Sequence, residues 1–229
     1  YVEKDKFRTV LDNFAGSAYA EAKFLKDFTA RATLSVETVY QNAKTFQNSE
    51  EGGAVSVGGM LYQGRQTALT LNANQTINWA HNYGKHHLDA LVGHEFYYHK
   101  VDMSDAAMIN MFIPGLVDLS NFIETNGLPS GYTGASAMES YFARVNYNWN
   151  EKYYVSASVR MDGTSPFRYD KWGTFWSAGA SWRIAEENFI RDNVDWMDEL
   201  KLRFSIGTTG NQAVNSTSYP YTDLWSLGE

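Results

Sequence analysis

The chain reads as all-β, with roughly eight antiparallel strands that each carry one apolar and one polar face. Three observations predict this. Apolar and polar residues alternate with period two over most of the 229 residues. Aromatic residues make up 15% of the chain, tyrosine is the commonest of them, and there are only 4 prolines, a mix that favours extended backbone. Connections alternate in length: short at 25–27, 83–86 and 150–152, long at 47–59, 104–138 and 163–171, with an open tail from Asn211. Short turns at one end and long loops at the other are the layout of a membrane-spanning β-barrel. A soluble β-sandwich has the same periodicity, and pattern alone leaves the two readings level.

The elements follow in order. A weak strand at 17–24 leads into 28–41, where Phe28, Ala30, Ala32, Leu34, Val36 and Tyr40 oppose Thr29, Arg31, Thr33, Ser35, Glu37 and Gln41. In 68–79, Leu69, Leu71, Ala73, Ile77 and Trp79 face away from Asn72, Asn74, Thr76 and Asn78. In 88–99, Leu88, Ala90, Val92, Phe96 and Tyr98 oppose Asp89, Gly93, Glu95 and His99. The hairpin 141–149 and 153–162 sets Tyr141, Ala143, Val145, Tyr147, Trp149, Tyr153, Val155, Ala157, Val159 and Met161 on one face. Strands at 174–183 and 201–207 continue the alternation. The acidic stretch 185–199 breaks it and reads as a short helix or irregular crossing on the short-turn side. The apolar face is small and aliphatic in mid-strand, with aromatics at strand ends, as two lipid interfaces would require.

Composition excludes several functions. A net charge of -7 does not suit a chain that must neutralise phosphates. Without cysteine there is no disulfide, thiolate nucleophile or cysteine metal site. No apolar run approaches the ~18 residues of a spanning helix. The opening YVEKDKFRTV has neither the basic nor the apolar region of a signal peptide, as in a mature or excised chain. His94 and His99 stand five residues apart and fall on opposite faces of a strand, so no metal site is expected there. The carboxylates Glu186, Glu187, Asp195, Asp198 and Glu199 fall in the crossing, where solvated or capping roles are expected, and no catalytic residue is assigned. Loop aromatics are the ligand-binding candidates: Tyr132, Tyr169, Trp172, Tyr219, Tyr221 and Trp225, since flat rings stack on sugar faces and peptide side chains.

Two stretches, 141–190 and 200–212, carry a more specific pattern. Its residues are Arg144, Asn146 and Tyr147; Arg160, Asp162, Gly163 and Phe167; Trp172, Gly173 and Phe175; Trp182, Arg183, Glu187 and Phe189; and 200–212, LKLRFSIGTTGNQ. In order and spacing they resemble the barrel of SusC/RagA-type TonB-dependent outer-membrane transporters. Trp176, where that family usually has Pro, and Pro166, where a polar residue is common, depart from the pattern. The resemblance implies a 22-stranded barrel plugged at its N-terminus, of which residues 1–229 would be a single-domain barrel segment without the plug. It also implies an outer-membrane location in a Gram-negative bacterium. The expected activity is import of oligosaccharides or peptides, with a SusD-like surface lipoprotein and the TonB–ExbB–ExbD energy complex as partners. No cofactor and no enzyme activity are expected. The alternative is a soluble β-sandwich that binds carbohydrate.

Overall fold

In the computed structural model, which describes residues 4–166, 171–194 and 196–210, nine strands form one sheet. They are β1 (Lys6–Phe24), β2 (Phe28–Gln47), β3 (Met60–Tyr83), β4 (His86–Met111), β5 (Phe122–Thr125), β6 (Ser130–Trp149), β7 (Tyr153–Thr164), β8 (Trp172–Arg183) and β9 (Lys201–Gly207). Neighbours in the sheet follow chain order, except that β5 pairs with β4 beside the main path. A sandwich needs two sheets, and the described residues form a single one. After β8 come a 3-10 turn, Ile184–Glu186, and the four-residue helix α1, Asn188–Arg191, the irregular crossing anticipated from 185–199.

Turn chemistry accounts for the short connections. Leu25 and Lys26 have φ of 48° and 64°, and Asn150 and Glu151 have φ of 53° and 56°. Two successive residues at positive φ match the twist of the flanking strands and close each hairpin within a three-residue connection, 25–27 and 150–152. The first strand is longer than its weak alternation indicated, 19 residues in place of about eight.

The chain divides into two compact units, and β1 to β4 and β6 contribute to both. The first comprises 1–16, 36–71 and 98–135. It holds a small core of Phe46, Leu61 and Phe122, against which Met108, Met111, Val117 and Leu119 pack. Asn121 is buried and pins the loop before β5: its amide donates to the carbonyls of Ile113 and Leu116, both at 2.8 Å, and its Oδ1 accepts from the Ile113 N–H at 2.9 Å. The expected loop at 104–138 is therefore shorter, confined to 112–129 and interrupted by β5. Strand β4 persists because Asn110 bends it at φ 62°, and the next N–H, of Met111, reaches the Gly58 carbonyl at 2.9 Å. Met108 and Met111 are half-buried against this core, while Phe112, Ile113 and Leu116 at the tip are 74%, 50% and 42% exposed.

The second unit comprises 17–35, 72–97 and 136–229. Register fixes its faces. Val145 pairs with Ala157 and Ala157 with Ala178; Tyr147 pairs with Val155 and Val155 with Ala180. These residues, with Leu202, Phe204 and Ile206 of β9, make one apolar face, and it is the exposed one: Val155 is 52% and Phe204 68% exposed. Aromatic rings line the short-turn end of that face. Trp149, Tyr153 and Trp182 stack at centroid distances of 5.3 and 6.1 Å, and Phe24, Phe28 and Trp79 follow at 5.5 and 6.4 Å. Tyr141 and Trp172, 6.1 Å apart, lie on the same face further along β6 and β8.

Candidate functional site: the polar wall

The opposite face of the second unit carries the polar side chains that the alternation places together. Arg160 on β7 is its hub. Its Nε donates to Asp162 at 2.6 Å, and one terminal nitrogen donates to Glu95 at 2.8 Å and to Ser140 at 2.9 Å. Glu95 also accepts from Asn72 at 3.2 Å, so one network spans β3, β4, β6 and β7. The Arg160 guanidinium stands 5.4 Å from the centre of the Phe142 ring. That ring in turn lies over Gly93, where a Cβ would come within 2.3 Å of it. Nearby, Asn146 donates to Asp89 at 3.1 Å and the hydroxyls of Ser158 and Ser177 meet at 2.7 Å.

Towards the turns, a cavity of about 470 Å³ opens on this face, lined by Asn146, Asn148, Tyr154, Ser156, Ser181 and Arg203 among others. The Lys201 ammonium sits 4.8 Å from the Tyr154 ring centre. The crossing beyond β8 is clasped by one carboxylate. Glu187 accepts from the Tyr153 hydroxyl at 2.6 Å, the Trp182 indole N–H at 3.0 Å and the Lys152 ammonium at 3.1 Å. These donors, the tyrosine first, hold its carboxyl below the usual glutamate range. A carboxylate depressed on folding adds stability above its unfolded pKa and loses it as pH falls through the folded value. We expect acidification below about pH 4.5 to loosen the crossing, and Glu187→Gln to blunt that dependence. The check is thermal unfolding of both proteins between pH 7 and pH 3; identical pH profiles would refute it.

Of the ligand candidates, Tyr132 lies exposed on β6 in the first unit. Trp172 opens β8 with its ring against Tyr141 on the apolar face. Tyr169, Tyr219, Tyr221 and Trp225 lie outside the described residues. His94 and His99 have separate partners, as their parity requires: Gln75 at 2.7 Å and Glu139 at 3.1 Å for His94, Thr70 at 3.0 Å for His99. The Arg160 hub and the Gly93–Phe142 contact were not anticipated as a unit. The signal was present: Arg160, Glu95, Asn72, Phe142 and Gly93 all have inward parity. What was missing was the register that aligns them.

A sheet with a hydrogen-bonded polar face and an exposed apolar face rimmed by aromatics defines a piece of the wall of a transmembrane β-barrel. Residues 4–225 match the family described as TonB dependent receptor-like, beta-barrel, and the chain belongs to it. It is 33% identical over 220 residues to TonB-dependent receptor P26 of Formosa agariphila, covering 90% of this chain and 21% of that protein. It is 27% identical over 224 residues to TonB-dependent receptor SusC of Bacteroides thetaiotaomicron, covering 93% and 21%. The structure of the RagAB peptide transporter superposes with a TM-score of 0.88 at 23% identity, over 97% of this chain and 25% of that one; this likeness bears on the fold. The chain thus spans about a fifth of the length of its curated relatives.

Proposed function

We propose that this chain forms part of the barrel of an outer-membrane, TonB-dependent importer of oligosaccharides or peptides in a Gram-negative bacterium. The observation that carries the reading is the inside-out arrangement of the second unit: Val155, Val159, Leu202, Phe204 and Ile206 are exposed, while Arg160, Glu95 and Asn72 satisfy one another on the opposite face. Water penalises the first face and hydrocarbon would penalise the second, so lipid on one side and a polar lumen on the other satisfies both. The two aromatic groups fit this reading. Eight residues separate Trp149 from Tyr141 on β6, and at ~3.3 Å per residue and a tilt of ~40° that is a rise of roughly 20 Å, near the ~25 Å of an apolar band.

In this reading all of 1–229 belongs to one barrel domain, and a plug carried elsewhere in the full polypeptide couples it to TonB–ExbB–ExbD. Tyr132, Tyr169, Tyr219, Tyr221 and Trp225 are aromatic platforms for the solute, and Trp172 joins Tyr141 in the lipid girdle. Transport needs no covalent step and no cofactor, so no enzyme activity is proposed. The exposed tip Phe112, Ile113 and Leu116 is the contact for a SusD-like lipoprotein lid, because apolar groups so grouped are costly to leave in water. Support comes from the SusC relative and from the likeness in fold to the RagAB peptide transporter.

The experiment uses the full-length protein in cells. Phe112→Ser with Ile113→Ser and Leu116→Ser is expected to reduce co-purification of the lid at least several-fold while the barrel still assembles. An unchanged lid yield would rule the tip out as the contact. Recovery of the full-length protein from the soluble fraction without detergent would reject the importer reading itself.

A further inference from the structure

A polar cluster interrupts the apolar face of the second unit. Gln75 on β3 shares the parity of Ile77 and Trp79, His94 on β4 that of Val92 and Phe96, and Glu139 on β6 that of Tyr141 and Val145. His94 bridges the other two, with Nδ1 2.7 Å from the Gln75 amide oxygen and Nε2 3.1 Å from the Glu139 carboxylate. The Tyr141 hydroxyl donates to the same carboxylate oxygen at 2.7 Å. The His94 and Glu139 side chains remain 34% and 44% exposed. Ionisable groups on a lipid-facing surface are costly unless matching partners cover them. Here the cover is incomplete. Among the described residues nothing donates to the second Glu139 oxygen, and nothing accepts from the Gln75 amide nitrogen. Further barrel strands would join at β1 and β9, the edges of the sheet, and a plug lies on the opposite face, so neither reaches this cluster.

Depth gives the cluster its setting. Tyr141 belongs with Trp172 to the aromatic pair far from the short turns, where acyl chains meet their headgroups. Beside the cluster, Ala20, Ala22, Ala30 and Ala32 line a hollow of about 530 Å³, with Gln75 and His94 at its edge. These alanines have the parity of Phe24 and Phe28, which stack at 5.5 Å in the lower aromatic group. Ala20 stands four residues from Phe24, whereas Tyr141 stands eight from Trp149. The hollow therefore lies deeper in the apolar band than the cluster. A polar head at the interface with an apolar recess running inward from it matches the shape of one lipid chain.

We infer that this outer wall holds a saccharolipid of the outer leaflet by one amide-linked, hydroxylated acyl chain. The alkyl tail fills the alanine hollow. At the root of the chain, the hydroxyl or amide N–H donates to the open Glu139 oxygen, and the amide carbonyl accepts from Gln75. The inference goes beyond solute transport and rests on the reading of this face as lipid-facing. An ester-linked glycerophospholipid fits less well, because the ester at the root of its chain accepts hydrogen bonds but cannot donate one. A phosphate placed here would meet the Glu139 carboxylate and be repelled.

The test uses the full-length protein, purified in detergent, stripped of its native lipid and then offered one of two probes. The first is lipid A, whose chains include amide-linked hydroxyacyl groups. The second is dipalmitoyl phosphatidic acid, which shares the phosphate but has neither amide nor chain hydroxyl. Native mass spectrometry counts the lipid that stays bound. Lipid A should be retained in preference to phosphatidic acid. Gln75→Leu with Glu139→Leu should lower its retention at least several-fold while the barrel still assembles, since leucine suits a lipid-facing position. Ala30→Leu with Ala32→Leu, which fills the hollow and leaves the polar cluster intact, should do the same. Equal retention of phosphatidic acid, or unchanged retention of lipid A in either double variant, would overturn the inference. So would a dimer of the stripped protein that dissociates in these variants, which would give the face to a second copy. Each of these results leaves the importer reading standing, because that reading fails separately, on recovery of the protein without detergent.

Discussion

Replacing Ala157 by Arg is expected to destabilise the barrel by about 2–4 kcal/mol, the cost of a cation on the lipid face near the bilayer midplane. Ala157 sits at the centre of the apolar face, paired with Val145 on one side and Ala178 on the other, and it is exposed. One residue on, Ser158 points to the polar face, where its hydroxyl meets Ser177 at 2.7 Å. Ser158→Arg therefore places the same charge in the lumen, and its cost should stay under about 1 kcal/mol because water and polar groups remain available there. The contrast between adjacent positions separates a membrane wall from a water-soluble sheet, in which Arg at the exposed position 157 would be tolerated. Urea unfolding of the full-length protein in lipid vesicles measures both. Cysteine labelling in intact cells gives a second reading: strong reaction at 157 with a water-soluble maleimide, and none at 158, would reverse the assignment of faces.

How much of this was legible in the sequence depended on which physical rule governed each part. The faces of β6, β7 and β8 were fully legible, because strand parity is strict and every second residue from Tyr153 to Met161 is apolar. The extent of β4 was not. Past Tyr98 it carries Lys100, Asp102 and Asp105 with Met103, Met108 and Met111, so alternation fades, and pairing with β5 and docking of Gly58 and Gly59 keep it extended. Gly58 and Gly59 lie far away in sequence and β5 lies across a loop, and the alternation within β4 cannot report either. The polar wall was legible as a composition of Arg, Asn and Ser on one face. Its hub at Arg160 was not, since Arg144 and Arg160 share that face and differ only in what the neighbouring strands set beside them. The loop aromatics show the opposite case. Trp172 looked like a loop residue because Gly173 follows it and the turn residues of 163–171 precede it, but pairing of Gly163 with Trp172 already belongs to the β7–β8 ladder.

Gly93→Val is expected to destabilise the protein by about 1–2 kcal/mol, and the sign comes from two opposing terms. Valine suits a strand better than glycine, by roughly 0.5–1 kcal/mol, because less backbone freedom is lost on folding and a branched side chain favours the pleat. Against this, any Cβ at position 93 would lie 2.3 Å from Cζ and 2.5 Å from Cε2 of Phe142, and forcing a packed group aside typically costs about 1–3 kcal/mol. The ring is the movable partner, yet it is also the surface beneath the Arg160 guanidinium, so displacing it strips a contact from the hub that links Glu95, Asp162 and Ser140. The steric term should win. Truncating the ring removes the collision, so Phe142→Ala should cost stability alone, while Gly93→Val added to it should cost nothing further or recover part of the loss. A double-mutant cycle read by urea unfolding in vesicles measures this coupling, expected at 1 kcal/mol or more in magnitude for residues in direct contact. Additive effects of the two substitutions would mean that the ring does not rest on Gly93 in the assembled barrel, and the link between β4, β6 and the Arg160 hub would be lost with it.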